Sequence, residues 1–297
     1  MMLFLKRLTY FCFRVWLKIK NLVSEPKRMA DSTFTAIIFS KDRPLQLQAL
    51  LQSMPYYVNG SDAQLVLYRS SNPAYETAYT ELKSKFPSVS FVRESSFRKD
   101  LLIITKTLST PWVFFLVDDL IFTDQLDLKT LPPEIPDEAI ISLRLHPGVT
   151  FSYMMKTAQE KPEFREICKD TYQFNWLRQG VDWAYPLSVD GHIFDRNEIR
   201  LLMKLCNFKA PNSLEASLQV FNKFICSAKT GVCFQTPKII NFPMNRVQNE
   251  FANVAGEIST KELLRLYNEG YELDYLHFQK CAYNSVHVEA DLKLKQR

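Results

Sequence analysis

Six consecutive apolar residues, Trp112-Val113-Phe114-Phe115-Leu116-Val117, run without a polar interruption into Asp118-Asp119. A strand that is apolar at every position has no face for water, so it belongs in the middle of a sheet covered on both sides. The two carboxylates cannot follow it inside, because burying them unpaired costs several kcal/mol. They therefore mark the edge of the sheet where the strand ends.

Three strand-helix units precede this strand. Phe34 to Phe39 is β-rich and gives way at Ser40-Lys41-Asp42-Arg43-Pro44 to leucines at helical spacing, Leu45, Leu47, Leu50 and Leu51. Pro44 fits the first turn of that helix. Gln64 to Tyr68 is followed by a helix pattern over 73–86, and Val89 to Val92 by one over 97–108. Such alternation predicts an α/β fold with a mainly parallel central sheet flanked by helices. In such sheets ligands bind beyond the carboxyl ends of the strands. Those ends hold Ser40 to Arg43, Tyr68 to Ser70, Arg93 to Ser96 and the Asp pair. Neither G-x-G-x-x-G nor a Walker A sequence is present, which removes the main support for a dinucleotide enzyme or a P-loop NTPase.

Downstream, Ala139 to Leu145 reads as a further strand and Leu187 to Phe194 as one carrying Gly191. Residues 147–186 form the longest stretch without a clear strand signal, where an acceptor-facing insertion or lid is expected. Phe174, Trp176, Trp183 and Tyr185 within it are either core residues or floors for a sugar ring. A helix from Thr260 through Tyr267, closed by Gly270, belongs to a C-terminal helical cover over 256–297. The polar run Asn245 to Asn249 has the composition to reach the cleft.

Adjacent carboxylates call for a counter-charge. A divalent cation shared with a phosphate supplies one, since Mg²⁺ is typically held by one or two carboxylates plus substrate phosphates. The alternative is a helix cap or solvated loop. Arg43, Arg69, Arg93, Arg98 and Lys99 lie at or just beyond strand ends, and cations there suit phosphate oxygens. Arg43 and Lys99 are the preferred binders.

The segment Ser40-Lys41-Asp42-Arg43-Pro44-x-x-Leu47, taken with Phe114 to Phe122 around Asp118-Asp119, resembles the nucleotide-sugar-binding half of GT-A glycosyltransferases, family 2-like. The resemblance covers residues 33–122 and, more loosely, the acceptor half over 139–255. It implies a nucleoside-diphosphate sugar as donor, with Ser40, Arg43, Arg69, Lys99 and Asp118 on the nucleotide side. It further implies Mn²⁺ or Mg²⁺ on Asp119 and Asp118, where Asp118 faces the ribose or the metal. This chain has Val117 where E-D-D members of the family carry their first acid. A C-terminal histidine often reaches the metal in that family, a role that falls to His287. Glu215, in Pro211-Asn212-Ser213-Leu214-Glu215, matches the general base. Without the resemblance Glu215 reads as an ordinary first-turn helix acid. His146, His192 and His277 carry no assignment.

Charge distribution separates the first 28 residues from the rest. They hold seven basic residues and one acid, whereas the remainder holds 30 basic and 31 acidic residues. A near-neutral body excludes a broad nucleic-acid-binding surface. On residues 1–23 an apolar arc (Phe4, Leu5, Leu8, Phe11, Cys12, Val15, Trp16, Ile19) opposes Arg7, Arg14 and Lys18. No run of 18–20 apolar residues is present, so the segment reads as an amphipathic helix on a membrane interface or as one packed on the body or a partner. Residues 24–32 then form a linker, and Met29 is an alternative start. The six cysteines are scattered with no C-x-x-C pair, which favours a reducing compartment and excludes a structural zinc site. The expected location is cytoplasmic, peripheral on the membrane face.

The resulting expectation is a metal-dependent, inverting hexosyltransferase that transfers sugar to a glycan or lipid-linked acceptor hydroxyl, as for a surface glycan. The alternatives are a nucleotidyltransferase, disfavoured by the absence of a glycine-rich first loop, and a catalytically silent sugar- or partner-binding domain.

Overall fold

A computed structural model describes residues 2–23, 29, 32–244, 258–279 and 283–297. Helix α1 (Met2–Val23) precedes the first strand-helix units, β1 (Phe34–Lys41), α2 (Pro44–Tyr57), β2 (Ser61–Arg69), α3 (Pro73–Lys85), β3 (Ser90–Arg93), α4 (Phe97–Thr107) and β4 (Trp112–Val117). Then come β5 (Leu120–Phe122), β6 (Ile140–Ser142), β7 (Phe164–Cys168), β8 (Thr171–Asn175), β9 (His192–Asp195), α5 (Arg196–Leu205), α6 (Pro211–Leu218) and α7 (Asn222–Ala228). The chain continues through β10 (Thr230–Phe234), β11 (Ile239–Asn241), α8 (Thr260–Asn268), β12 (Tyr271–Leu273) and β13 (Leu294–Gln296).

Nine strands form one sheet in the order β7-β8-β10-β6-β9-β4-β1-β2-β3. Seven point the same way, and β8 and β9 are reversed. The mainly parallel sheet flanked by helices is thus the architecture expected from the sequence.

The two-faced core follows from side-chain alternation along the central strands. On β4, Trp112, Phe114 and Leu116 join one buried cluster with Leu45 and Leu50 of α2, while Val113 and Phe115 join the other with Leu101 of α4 and Ile199 of α5. On β1, Ile38 faces the first cluster, and Ile37 and Phe39 the second. Both faces being dry, the two strands are apolar until they end except at Thr35, whose buried hydroxyl is satisfied 2.8 Å from Thr110 Oγ1.

Three expectations need correction. Residues 147–186 are not strandless, because β7 and β8 extend the main sheet as an antiparallel hairpin. Neither is apolar throughout: β7 carries exposed Arg165 and Glu166, and β8 alternates polar and apolar residues over Thr171-Tyr172-Gln173-Phe174-Asn175, as suits strands at the open side of the sheet. The strand placed at 187–194 begins only at His192, since Gly191 sits at φ +72 and turns the chain into it. The C-terminal region is helix α8 followed by the β12-β13 pair rather than helix alone. Asn245 to Asn249 lies outside the described residues.

Candidate functional site

The carboxyl ends of β1 and β4 are neighbours, with Phe39 in register with Val117. After β1 the backbone turns sharply at Asp42, whose φ is +55, a conformation that Asp tolerates better than most residues. The Asp42 N–H donates to the Arg69 carbonyl, and its carboxylate accepts from the Ser71 N–H at 2.7 Å. That turn aims Arg43 at the Asp pair.

One guanidinium nitrogen of Arg43, Nη1, donates to Asp118 Oδ1 at 2.9 Å and to Asp119 Oδ2 at 3.1 Å. The Lys41 N–H donates to the other oxygen of Asp118 at 3.1 Å. Tyr79 of α3 stands behind the loop, 2.7 Å from Ser40 Oγ and accepting from the Arg43 N–H at 3.4 Å. Burial pushes the Asp118 carboxyl up to about 6, with Arg43 pulling it down and Asp119 adding to the rise. Asp119 Oδ1 is buried and accepts no hydrogen bond.

Ser40, Arg43, Asp118 and Asp119 are therefore brought together as expected. Arg69 and Lys99 are not part of this contact set. The Arg69 side chain is exposed and lies 3.7 Å from Glu94, and Lys99 is exposed on α4. The ends of β2 and β3 border a separate cavity of about 700 Å³ lined by Ser70, Asn72, Glu76 and Arg93.

A second set of charges comes from the turn before β9, from α6 and from the loop after β6. Arg144 Nη1 donates to Asp190 Oδ2 at 3.2 Å and Nη2 to Ser188 Oγ at 3.0 Å. Ser188 Oγ in turn donates to Glu215 Oε1 at 2.7 Å, and the Val189 N–H donates to the same oxygen at 3.0 Å. Asn241 Nδ2 reaches Asp190 Oδ2 at 3.4 Å. Burial pushes Asp190 up to about 7, against the pull of Arg144 and with further upward pressure from Glu215 and Asp119. The Asp190–Asp119 interaction ties the two sets to one locale.

The C-terminal region closes onto this locale. The Asn241 N–H donates to the Val286 carbonyl and the Val288 N–H to the Asn241 carbonyl, placing His287 beside Asn241. Asn241 pairs with Leu120, and the Phe242 N–H donates to the Asp119 carbonyl. Burial holds His287 neutral, down to about 3, and Arg144 adds to the effect. A cavity of about 510 Å³ opens beside it, lined by Phe151, Tyr153, Tyr283, His287 and Glu289. Among the described residues no group of three or more His, Cys, Asp or Glu side chains is placed to hold a metal ion by itself.

Asp190 and Arg144 were not singled out from the sequence. Their side-chain partners lie 44 to 51 residues away along the chain, and the only local signal is the Asp190-Gly191 turn. Phe174, Trp176 and Trp183 are core residues, all at most 3% exposed, whereas Tyr185 touches Glu215. Among the remaining histidines, His192 is buried with Nδ1 2.9 Å from the Pro186 carbonyl.

No family model matches the chain. The bifunctional glycosyltransferase pgtA of Dictyostelium discoideum is 25% identical over 192 residues, which is 58% of this chain and 25% of that protein. This chain thus spans about a quarter of the length of that curated relative. Its name gives the activity class that the two strand-end motifs resemble. Among solved structures, Staphylococcus aureus TarS is similar with a TM-score of 0.42 at 13% identity, over 83% of this chain and 41% of that one. An apo structure of WbbM, a bifunctional glycosyltransferase, is similar with a TM-score of 0.35 at 14% identity, over 71% and 46%. Neither likeness carries a residue role across.

Proposed function

We propose that this chain is a glycosyltransferase that moves a sugar from a nucleoside-diphosphate sugar to an acceptor hydroxyl, with Mg²⁺ or Mn²⁺ at Asp119. The observation that supports this most directly is the convergence of two carboxylate sets, Asp118-Asp119 with Arg43 and Asp190-Glu215 with Arg144, at the carboxyl edge of β1 and β4. Sugar transfer needs positive charge at a departing diphosphate and a carboxylate behind the acceptor oxygen. The motif resemblance and the relative in Dictyostelium discoideum point to the same reaction class.

The orphaned Asp119 Oδ1 fits a cation ligand, and neutral His287 is in the ligating form. Asp118 is less suited, because both its oxygens already accept hydrogen bonds. The described residues thus offer too few ligands to hold the ion alone, and Asp119 with His287 would hold it together with the donor's phosphate groups. Bound there, the cation supplies charge to the leaving diphosphate. Arg43 orients the Asp pair. Ser40 and the cavity at the ends of β2 and β3 are proposed to meet the nucleoside, and the aromatic-lined cavity beside His287 the glycan or lipid-linked acceptor.

Glu215 is the base on the resemblance, and a single base opposite the diphosphate gives inversion. Asp190 is a second candidate on a specific observation, since it titrates near neutrality while Glu215 Oε1 is already fixed by Ser188 and Val189. If Glu215 is the base, Glu215→Gln abolishes turnover. If Asp190 is, Asp190→Asn does so, and the parent enzyme's pH-rate profile has an acid limb near pH 7.

The test is a thermal-shift screen of UDP, GDP, CMP and dTDP sugars with and without Mn²⁺. A ligand at a hundred times its dissociation constant stabilises by about 2.7 kcal/mol. The expected result is no shift with Mn²⁺ alone, a shift with one nucleotide plus Mn²⁺, and its loss in Asp119→Ala. A folded protein that responds to no nucleotide supports the catalytically silent domain instead.

A further inference from the structure

Ten large apolar side chains are exposed among the described residues, and six of them stand on α1. Phe4, Leu8, Phe11 and Val15 recur at spacings of four, three and four residues, which stacks them in one stripe along the helix. They are 42% to 70% exposed.

The stripe is exposed although the helix is docked. Tyr10, on the opposite side, is fully buried, donates its hydroxyl to Glu198 of α5, and packs its ring 5.8 and 5.1 Å from those of Phe221 and Phe224. Arg14 reaches Glu198 at 3.8 Å, Glu138 at 3.5 Å and the Ala228 carbonyl at 3.5 Å. Glu198 also holds Lys229 at 2.6 Å. The sequence left open whether the segment packs on the body or meets a membrane, and the helix has one face for each.

We propose that the outward face of α1 docks this protein on an anionic lipid surface. Charge selects that occupant. Residues 1–28 carry a net +6 while the remainder carries a net −1. A second copy would set one cationic segment against another, whereas anionic headgroups attract it. Arg14 is committed to Glu138 and Glu198, but Arg7 borders the stripe, exposed and held to the body only at the Val220 carbonyl at 3.4 Å, and Lys223 is exposed on the adjoining α7. No helix among the described residues is long and apolar enough to cross a membrane, so the mode is interfacial. Because Tyr10 and Arg14 already order the helix, docking does not have to bear the cost of folding it.

This inference does not rest on the glycosyltransferase reading. Its test is co-sedimentation of the full chain with neutral phosphatidylcholine vesicles and with vesicles carrying about 30% phosphatidylglycerol, at low salt and at about 0.5 M salt. No donor or acceptor is added, so failure here leaves the enzymatic proposal untouched. The expected result is binding to anionic vesicles alone, weakened by salt, and lowered about tenfold in Phe4→Asp/Leu8→Asp. These positions are exposed, so an unchanged melting temperature verifies that the variant is folded, and Arg7→Glu/Lys223→Glu tests the charge separately. Equal binding to neutral vesicles, no binding to either, or a dimer in light scattering that the apolar variant dissociates would each overturn the proposal.

Discussion

Arg43 holds two carboxylates with a single nitrogen. Its side chain is 10% exposed, and those of Asp118 and Asp119 are 4% and 14% exposed, so little water is present to replace it. Removing one member of a buried ion cluster leaves charge uncompensated at a cost of about 3–5 kcal/mol. Arg43→Leu is therefore expected to lose about 3 kcal/mol at pH 8 in urea denaturation. The loss should shrink at pH 5, because Asp118, already raised to about 6 by burial, is protonated there and no longer needs a partner. Arg43→Lys should recover much of the stability, since Nη1 makes both contacts and one ammonium can bridge the same pair. A loss that is independent of pH would mean that Arg43 acts through packing, and Asp118 would not be the group it serves.

At the scale of elements, the strands that lie between two dry faces were legible because burial on both sides leaves a one-letter pattern. β4 coincides with its apolar run, and α2 starts at Pro44 as read. The β7-β8 hairpin escaped notice because neither strand is an apolar run, β7 carrying Arg165 and Glu166 and β8 Gln173 and Asn175, and Asp190 because its partners arrive from Arg144 and Asn241 through the fold. Gly191 was read as a strand glycine, but its work is at the turn before β9. Its φ is +72, and a Cβ there would stand 1.9 Å from Ile239 Cδ1 of β11. Gly270 has a φ of +86 with nothing within 4 Å of such a Cβ. Backbone strain alone costs of order 1–3 kcal/mol at either site. Gly270→Ala is thus expected to show the strain and Gly191→Ala the strain plus a clash, a difference of about 1–3 kcal/mol by chemical denaturation. Equal losses would show that Ile239 gives way freely.

For the whole molecule, the titrating groups divide into two opposed sets. Burial first, then nearby cations, hold His146 down to about 4 and His192 and His287 down to about 3. The unfolded chain binds protons on these groups near 6.5, so the stability they contribute is present above that pH and lost as pH falls. Asp118 and Asp190 have the opposite sign. Raised to about 6 and about 7, they contribute stability at low pH that is lost as pH climbs through those values. Near pH 7 the two sets offset each other and the profile is shallow. Near pH 5.5 the three histidines outweigh the two carboxylates, so stability should fall on further acidification. His192 isolates the histidine contribution, because it is fully buried with Nε2 unpartnered and Nδ1 on the Pro186 carbonyl. A glutamine amide can keep that bond without titrating. Between pH 7.5 and 5, His192→Gln should lose about 2 kcal/mol less stability than the parent chain in urea denaturation. Parallel profiles for the two proteins would mean that His192 is protonated inside the fold, and the acid sensitivity would then have to come from His146 and His287.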